Sequence, residues 1–291
     1  MWISDLELNN WRNHKQTRLS LEPGVTVFWG ENGHGKTNIV EAVRFLAKLD
    51  SHRTTTSEAL IRDECNNASL FTKVHSQTKS VKLGLMLNRK GPNQAFINNS
   101  KVKMSELPVW MSCVMFAPED FAIIRGEPSF RRNFLNDMVV NIRPIMLSLF
   151  RDYERLLKQR NTLLRTLRAS QKESSPSALE SWTKQIILAG AEIIALRLET
   201  IRNLQPLVAA EYEKITQGHE ISMSYMARNL GSNTANFDHQ AIVDYLENEF
   251  YARKSEEIDR GITLVGPHRD DLELLIRGKS ARTHASQGET W

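Results

Sequence analysis

Gly30-Glu31-Asn32-Gly33-His34-Gly35-Lys36-Thr37 is a complete G-x-x-x-x-G-K-[ST] loop, and those residue types at that spacing serve one chemistry, the binding of a nucleoside triphosphate. The glycines let backbone N–H groups curl around the β- and γ-phosphates, Lys36 brings a mobile positive charge to them, and the Thr37 hydroxyl is a ligand for Mg²⁺. A loop of this kind leaves a buried strand and opens a helix. Val25-Thr26-Val27-Phe28-Trp29 predicts the strand. Asn38 to Lys48, with Ile39, Val40, Val43, Phe45 and Leu46 and neither Gly nor Pro, predicts the helix.

On either side of the loop, the first 120 or so residues read as short strands punctuated by turns, an α/β pattern. Leu6 and Leu8 alternate with Asp5 and Glu7, Leu19 and Leu21 repeat the period, and Pro23-Gly24 turns the chain toward the loop. Val81, Leu83, Leu85 and Leu87 alternate again, then Asn88 to Pro92 turns into Ala95-Phe96-Ile97, and an apolar run follows from Val109 to Phe116. From Ser129 the period changes to three and four. Leu149, Phe150, Tyr153, Leu156, Leu157, Leu163, Leu164 and Leu167 form one stripe, and Trp182, Ile186, Ala189, Ile193 and Leu196 a second. Ser170 to Ser177, with Pro176, suits a hairpin tip between two long helices, while Gly190 and Pro206 predict local weakness in the second. Alternation returns at Ile221, Met223 and Tyr225, followed by a helix from His239 to Lys254 and strands at Ile262–Val265 and Leu272–Ile276. The simplest organisation is one nucleotide-binding head in two parts, 1–125 and 215–291, with a helical arm inserted at 126–214.

The 291 residues carry a formal charge of +4, which tolerates an anionic partner without demanding one. Cys65 and Cys113 form no C-x-x-C pair and no zinc-spaced set with the eight histidines, so reduced thiols are expected and a structural metal is not. No basic segment precedes an apolar core at Met1, and no run of about 18 apolar residues occurs, so a secretory leader and a membrane span are not expected and a cytoplasmic location follows. For nucleic acid, the basic candidates are Arg125, Arg131 and Arg132, then Arg151, Arg155, Lys158, Arg160, Arg165 and Arg168 along the first long helix. They are placed either to track phosphates without reading sequence or to solvate an ordinary helix face.

Several stretches together resemble the RecF family, bacterial recombination-repair ATPases related to the SMC and Rad50 heads. They are Gly30 to Asn38, Leu49-Asp50-Ser51-His52-Arg53-Thr54, Pro118-Glu119-Asp120 leading into Gly126-Glu127-Pro128-Ser129-Phe130-Arg131-Arg132-Asn133-Phe134-Leu135, and Gly266-Pro267-His268-Arg269-Asp270-Asp271. The resemblance runs through the whole chain, with Asn136 where the family usually has Asp. It implies a P-loop, ABC-type ATPase head of mixed β-sheet with an inserted helical arm. It also implies that Ser286-Gln287-Gly288-Glu289 is the signature that meets the γ-phosphate on a second subunit, so that ATP joins two heads. A transporter ATPase would have neither the long arm nor the Gly126–Leu135 segment, and a GTPase would need an Asn-Lys-x-Asp motif that this sequence lacks.

As the resemblance has it, the protein is an ATP- and Mg²⁺-dependent DNA-binding protein of replication, recombinational gap repair and SOS induction. It would bind single-stranded and gapped DNA and work as an ATP-dependent homodimer with RecR-like and RecO-like proteins, away from membranes. The family has weak DNA-dependent ATPase activity and places an Asp-Glu pair, the Walker B motif, after the signature; here the sequence ends at Trp291 without it, as a truncated form would. ATP binding is expected, hydrolysis is left open, and the alternative is an ATP- and DNA-binding module without turnover. Arg53 is placed either to touch the nucleotide or to cap the carbonyls that end the first helix. His268, Arg269, Asp270 and Asp271 either reach nucleotide and dimer interface or form a charged turn.

Overall fold

A computed structural model of the chain describes residues 1–51, 53–54, 56–77, 79–170, 176–216, 218–228 and 238–290. The chain divides into two compact units, Met1–Phe116 and Ala117–Trp291.

The first unit is built on a six-stranded sheet in the order β2-β1-β3-β4-β5-β6, with β1 at Trp2–Trp11, β2 at His14–Ser20, β3 at Asn67–His75, β4 at Ser80–Asn88, β5 at Gln94–Ile97 and β6 at Ser100–Val102. All its ladders are antiparallel. Alternation places Leu6, Leu8, Leu70, Val81, Leu83, Leu85 and Leu87 on buried faces, where they meet Ala42, Phe45 and Leu46 of helix α1, Lys36–Lys48. At Gly84 a Cβ would lie 2.4 Å from the Phe71 ring, so the glycine is what lets that cross-strand aromatic lie flat on β4.

The expected strand at 25–29 does not form, and the apolar run that ends at Phe116 forms none either. Residues 25–29 and 111–117 carry no ladder, and Val25, Val27, Trp29, Val114 and Phe116 are exposed. A β-branched run becomes a strand only where a neighbour takes up its N–H and C=O groups, and neither segment is hydrogen-bonded into a described sheet.

In the second unit, α2 at Ala122–Arg125 and α3 at Pro128–Ile142 lead into α4, Leu147–Ser170, and α5, Pro176–Thr216. Then come β7 at Ile221–Met226, α6 at His239–Arg260, β8 at Asp271–Ile276, β9 at Lys279–Ser280, and the short helices α7, Ala281–His284, and α8, Gln287–Thr290. The strands form an antiparallel sheet in the order β7-β8-β9. One core joins the long helices to that sheet, with Leu135, Val139, Phe150, Tyr153, Ile186, Ile194, Ile242, Leu246, Tyr225 and Leu272 all buried.

Helix α5 runs unbroken through both residues expected to weaken it. Gly190 sits where a Cβ would come 3.2 Å from Pro267 Cδ, so its missing side chain admits the 266–270 turn. The residue before Pro206, Gln205, donates from Nε2 to Ile221 O and accepts from Met223 N, which fastens β7 to the helix there. Helix α6 continues past Lys254 to Arg260, where Gly261 at φ 66° ends it. Residues 262–265 form no strand: Thr263 N donates to Asn161 and Leu264 N to Glu257, so side chains take the bonds a ladder would use. The expected tip at 170–177 falls largely on 171–175, outside the described residues, as do His52 and Trp291. Among the described residues no helix is long and apolar enough to cross a membrane.

Candidate nucleotide-binding site

The loop from Gly30 to Thr37 ends with Lys36 and Thr37 already in the first turn of α1. Gly30, Gly33 and Gly35 have φ of 140°, 84° and 93°, values that favour glycine. At Gly35 space also demands it, because a Cβ would lie 2.5 Å from His14 Nε2 and 2.6 Å from Asn13 Oδ1. His14 Nε2 donates to Gly35 O at 3.1 Å; since a carbonyl only accepts, Nδ1 is left to accept from Thr17 Oγ1. The ammonium of Lys36 donates to Gly30 O at 2.8 Å and Glu31 O at 2.7 Å, so the cation is folded across its own loop. Thr37 is exposed.

Behind the loop lies a polar network that the motif alone does not reveal. Asn38 donates from Nδ2 to Asn13 Oδ1 at 2.8 Å and accepts from Arg53 Nη1 at 3.0 Å, while its carbonyl accepts from Trp11 Nε1. Glu41 is wholly buried, and Arg12 grips it bidentately, Nη2 to Oε1 at 2.6 Å and Nε to Oε2 at 3.0 Å. Ser51 Oγ also donates to Glu41 Oε1, and Arg53 stands 3.9 Å from Oε2. Burial alone would raise the Glu41 carboxyl, but the bonds from Arg12 and Ser51 and the charges of Arg12 and Arg53 outweigh it and hold it below the usual range. Arg53 thus reaches the first turn of α1. At the other end of the helix, Leu49 N donates to Phe45 O at 2.8 Å.

These residues fit a triphosphate with Mg²⁺. The glycine conformations and the clash at Gly35 describe a cradle kept free of side chains, Lys36 is a cation whose present acceptors are carbonyls, and the Thr37 hydroxyl is accessible. Mg²⁺ would be held by Thr37 and would neutralise charge on the phosphates. Among the described residues no group of three or more His, Cys, Asp and Glu side chains could hold a metal.

The signature stretch lies in the second unit. Ser286 N donates to Glu289 Oε2 at 2.9 Å and Glu289 N to Ser286 Oγ at 3.2 Å, a reciprocal pair at the start of α8. Arg277 pairs with Glu289 as well. Gly288 is exposed, and the side chain of Gln287 lies outside the described residues.

The expected phosphate-tracking basic residues separate into two groups. Arg151, Arg155 and Lys158 are exposed on α4, with Arg155 paired to Asp152, and Arg165 and Arg168 are exposed further along. Arg131 is 4% exposed; Asp271 holds its Nε and Nη2 at 2.7 and 2.9 Å, and its Nη1 donates to Ile123 O and Gly126 O. Arg132 donates to Asp270 O, and Arg160 is buried against Glu257, Thr263 and Thr183. Burying a guanidinium requires such partners, which removes Arg131 and Arg160 from any exposed stripe and leaves Arg132 partly engaged.

The profile of the family described as RecF/RecN/SMC N terminal domain matches residues 2–281. A DNA replication and repair protein RecF from Leifsonia xyli subsp. xyli is 35% identical over 303 residues, covering all of this chain and 79% of that protein. The chain belongs to the RecF family. A RecF from Streptomyces avermitilis is 37% identical over 297 residues, again across the whole chain and 79% of the relative. A solved structure of the recombination mediator protein RecF-ATP in the RecFOR pathway superposes with a TM-score of 0.92 at 25% identity, covering 99% of this chain and 77% of that one. The helix and sheet arrangement described above is thus the RecF ATPase-head fold.

Proposed function

We propose that this chain is an ATP-dependent DNA-binding protein of replication and recombinational repair, acting on single-stranded and gapped DNA in the cytoplasm and contributing to SOS induction. The single observation that carries this reading is the loop at 30–37, with its three left-handed glycines and an ammonium resting on loop carbonyls, in a chain that matches RecF proteins along its whole length.

In this reading Lys36 leaves Gly30 O and Glu31 O for the β- and γ-phosphates, Thr37 orients Mg²⁺, and Arg12, Asn13, His14, Asn38 and Arg53 keep the cradle in shape. Ser286 and Gly288 would face the γ-phosphate held by a second copy, coupling ATP to dimer formation, with RecR-like and RecO-like proteins as partners. Arg151, Arg155 and Lys158 are the exposed cations best placed for sequence-independent contact with DNA. A second reading is nucleotide-gated binding without turnover, in which ATP closes the protein on DNA and is not hydrolysed.

Fluorescence anisotropy of a labelled gapped duplex, with and without ATP-Mg²⁺, tests the proposal against Lys36→Ala. Losing a charge-assisted phosphate contact should weaken ATP binding by about 10- to 100-fold and abolish the ATP stimulation. Undiminished stimulation in Lys36→Ala would overturn it. Phosphate release in the same samples separates the two readings, since only the first includes turnover.

A further inference from the structure

The second unit carries a cavity of about 250 Å³ between α6 and the 264–270 segment. Arg253 and Arg260, seven positions apart and so on one face of α6, line it together with Arg228 after β7 and Arg269 in the turn; Tyr245 and Glu249 complete the rim. Leu264, Val265 and Gly266 line the other side, where the Leu264 carbonyl accepts from Arg253 Nη1 at 3.5 Å.

The cationic groups outnumber their anions. Arg253 and Arg260 share one carboxylate: Nε and Nη2 of Arg253 hold Glu256 Oε2 at 2.9 and 2.7 Å, and Arg260 Nη2 takes Oε1 at 2.9 Å. Arg269 uses Nε and Nη2 on Thr263 O and has no bonded group at Nη1 among the described residues. The Arg228 guanidinium donates no hydrogen bond to a described residue, although its carbonyl accepts from Tyr245 Oη. The other carboxylates at the cavity are Glu249 and Asp270, and the charges of Arg132 and Arg197, which do not line it, also act on Asp270. Tyr225 Oη donates to Asp270 Oδ2 at 2.6 Å, so that carboxylate faces the interior.

Planar, permanently charged forks converging on a concave, partly apolar site are the arrangement that recognises phosphate oxygens. We infer that this cavity is a second phosphate-binding site, separate from the loop at 30–37, in which Arg228, Arg253, Arg260 and Arg269 together take the phosphate group of a small anion or of a nucleic-acid strand. Its volume lies below the roughly 300–1,000 Å³ of drug-sized ligand sites, which suits one phosphate group and the atoms next to it.

The Lys36→Ala chain provides the test, because its loop no longer contributes the lysine contact. Inorganic phosphate titrated into it and followed by ³¹P line broadening should saturate, and Arg228→Gln added to Lys36→Ala should weaken that binding by about tenfold or more, as loss of a charge-assisted contact does. Arg260→Gln, at an exposed position, is the second variant and should give the same direction; circular dichroism verifies that both remain folded. Competition by a single-stranded oligonucleotide identifies a strand phosphate as the source, and saturation without competition identifies a small anion. Absence of saturable binding, or equal affinity in folded Arg228→Gln and Arg260→Gln, overturns the inference.

Discussion

Asp270 and His268 lie two positions apart in the same turn and titrate in opposite senses. Burial pushes the Asp270 carboxyl up to about 6, against the pull of the Tyr225 hydroxyl and of Arg197 and Arg132. Burial pushes His268 down to about 4, where Thr263 O holds its ring and Tyr153 meets the other nitrogen. A raised carboxyl favours the folded state fully below its ordinary value of 3.8, and that contribution is lost as pH rises through about 6. A depressed imidazole works the other way: its contribution is full above 6.5 and lost as pH falls through about 4. The two partly cancel in the window between. Asp270→Asn removes the first and keeps an acceptor for Tyr225, so urea unfolding at about pH 4.5, 5.5 and 6.5 should show the variant gaining stability with pH more steeply than the parent. Parallel pH profiles would show that Asp270 does not titrate in this way. The phosphate loop can be read in the sequence because its chemistry fixes residue types at fixed spacing, and the structure gives its glycines the positive φ that such a loop needs. Glu41 and Arg12 were not, since a charged residue on a helix looks solvated until its partner, 29 positions away, is brought alongside; the available signal was that Glu41 shares the face of Ala42, Phe45 and Leu46.

Among the elements, α4, α5 and α6 show how periodicity predicts a helix without predicting what its polar residues do. The stripes from Leu149 to Leu167 and Trp182 to Leu196 correctly mark buried faces, yet Arg160, read as a candidate for DNA, is the ion at the centre of the helix packing. Its Nη2 meets Glu257 of α6 at 2.6 Å, Nη1 meets Thr263, Nε meets Thr183 of α5, and its guanidinium lies 4.8 Å from the Phe250 ring centre. Arg160→Ala should therefore lower stability by about 3–5 kcal/mol, measured by denaturant unfolding, because it strands a buried carboxylate. Arg160→Ala together with Glu257→Ala should cost less than the sum of the single changes, and an additive result would deny that the pair is coupled. Strands β1, β4 and β8 were readable from alternation, whereas 25–29 and 262–265 had strand-like composition and no ladder. Propensity is local, and a strand exists only with its neighbour.

At the level of the whole chain, both units are continuous in sequence, and the backbone passes from one to the other once, at Phe116–Ala117. That crossing follows an extended stretch in which Val114 is 78% and Phe116 65% exposed. Extended, exposed backbone is what a protease binds, so brief digestion should cut first between about 110 and 117, giving one product with the phosphate loop and another with the arginine-lined cavity on a denaturing gel. A first cut inside β3 or α5 would contradict this account. The single passage also has a consequence in time. Every ladder of the first sheet joins residues that precede 103, so the N-terminal unit has all its strand partners while residues 117–291 are still being added. On the ribosome, every residue of the phosphate loop and of the polar network behind it is thus in place before the arginine-lined cavity has been translated, so the two candidate sites are made one after the other.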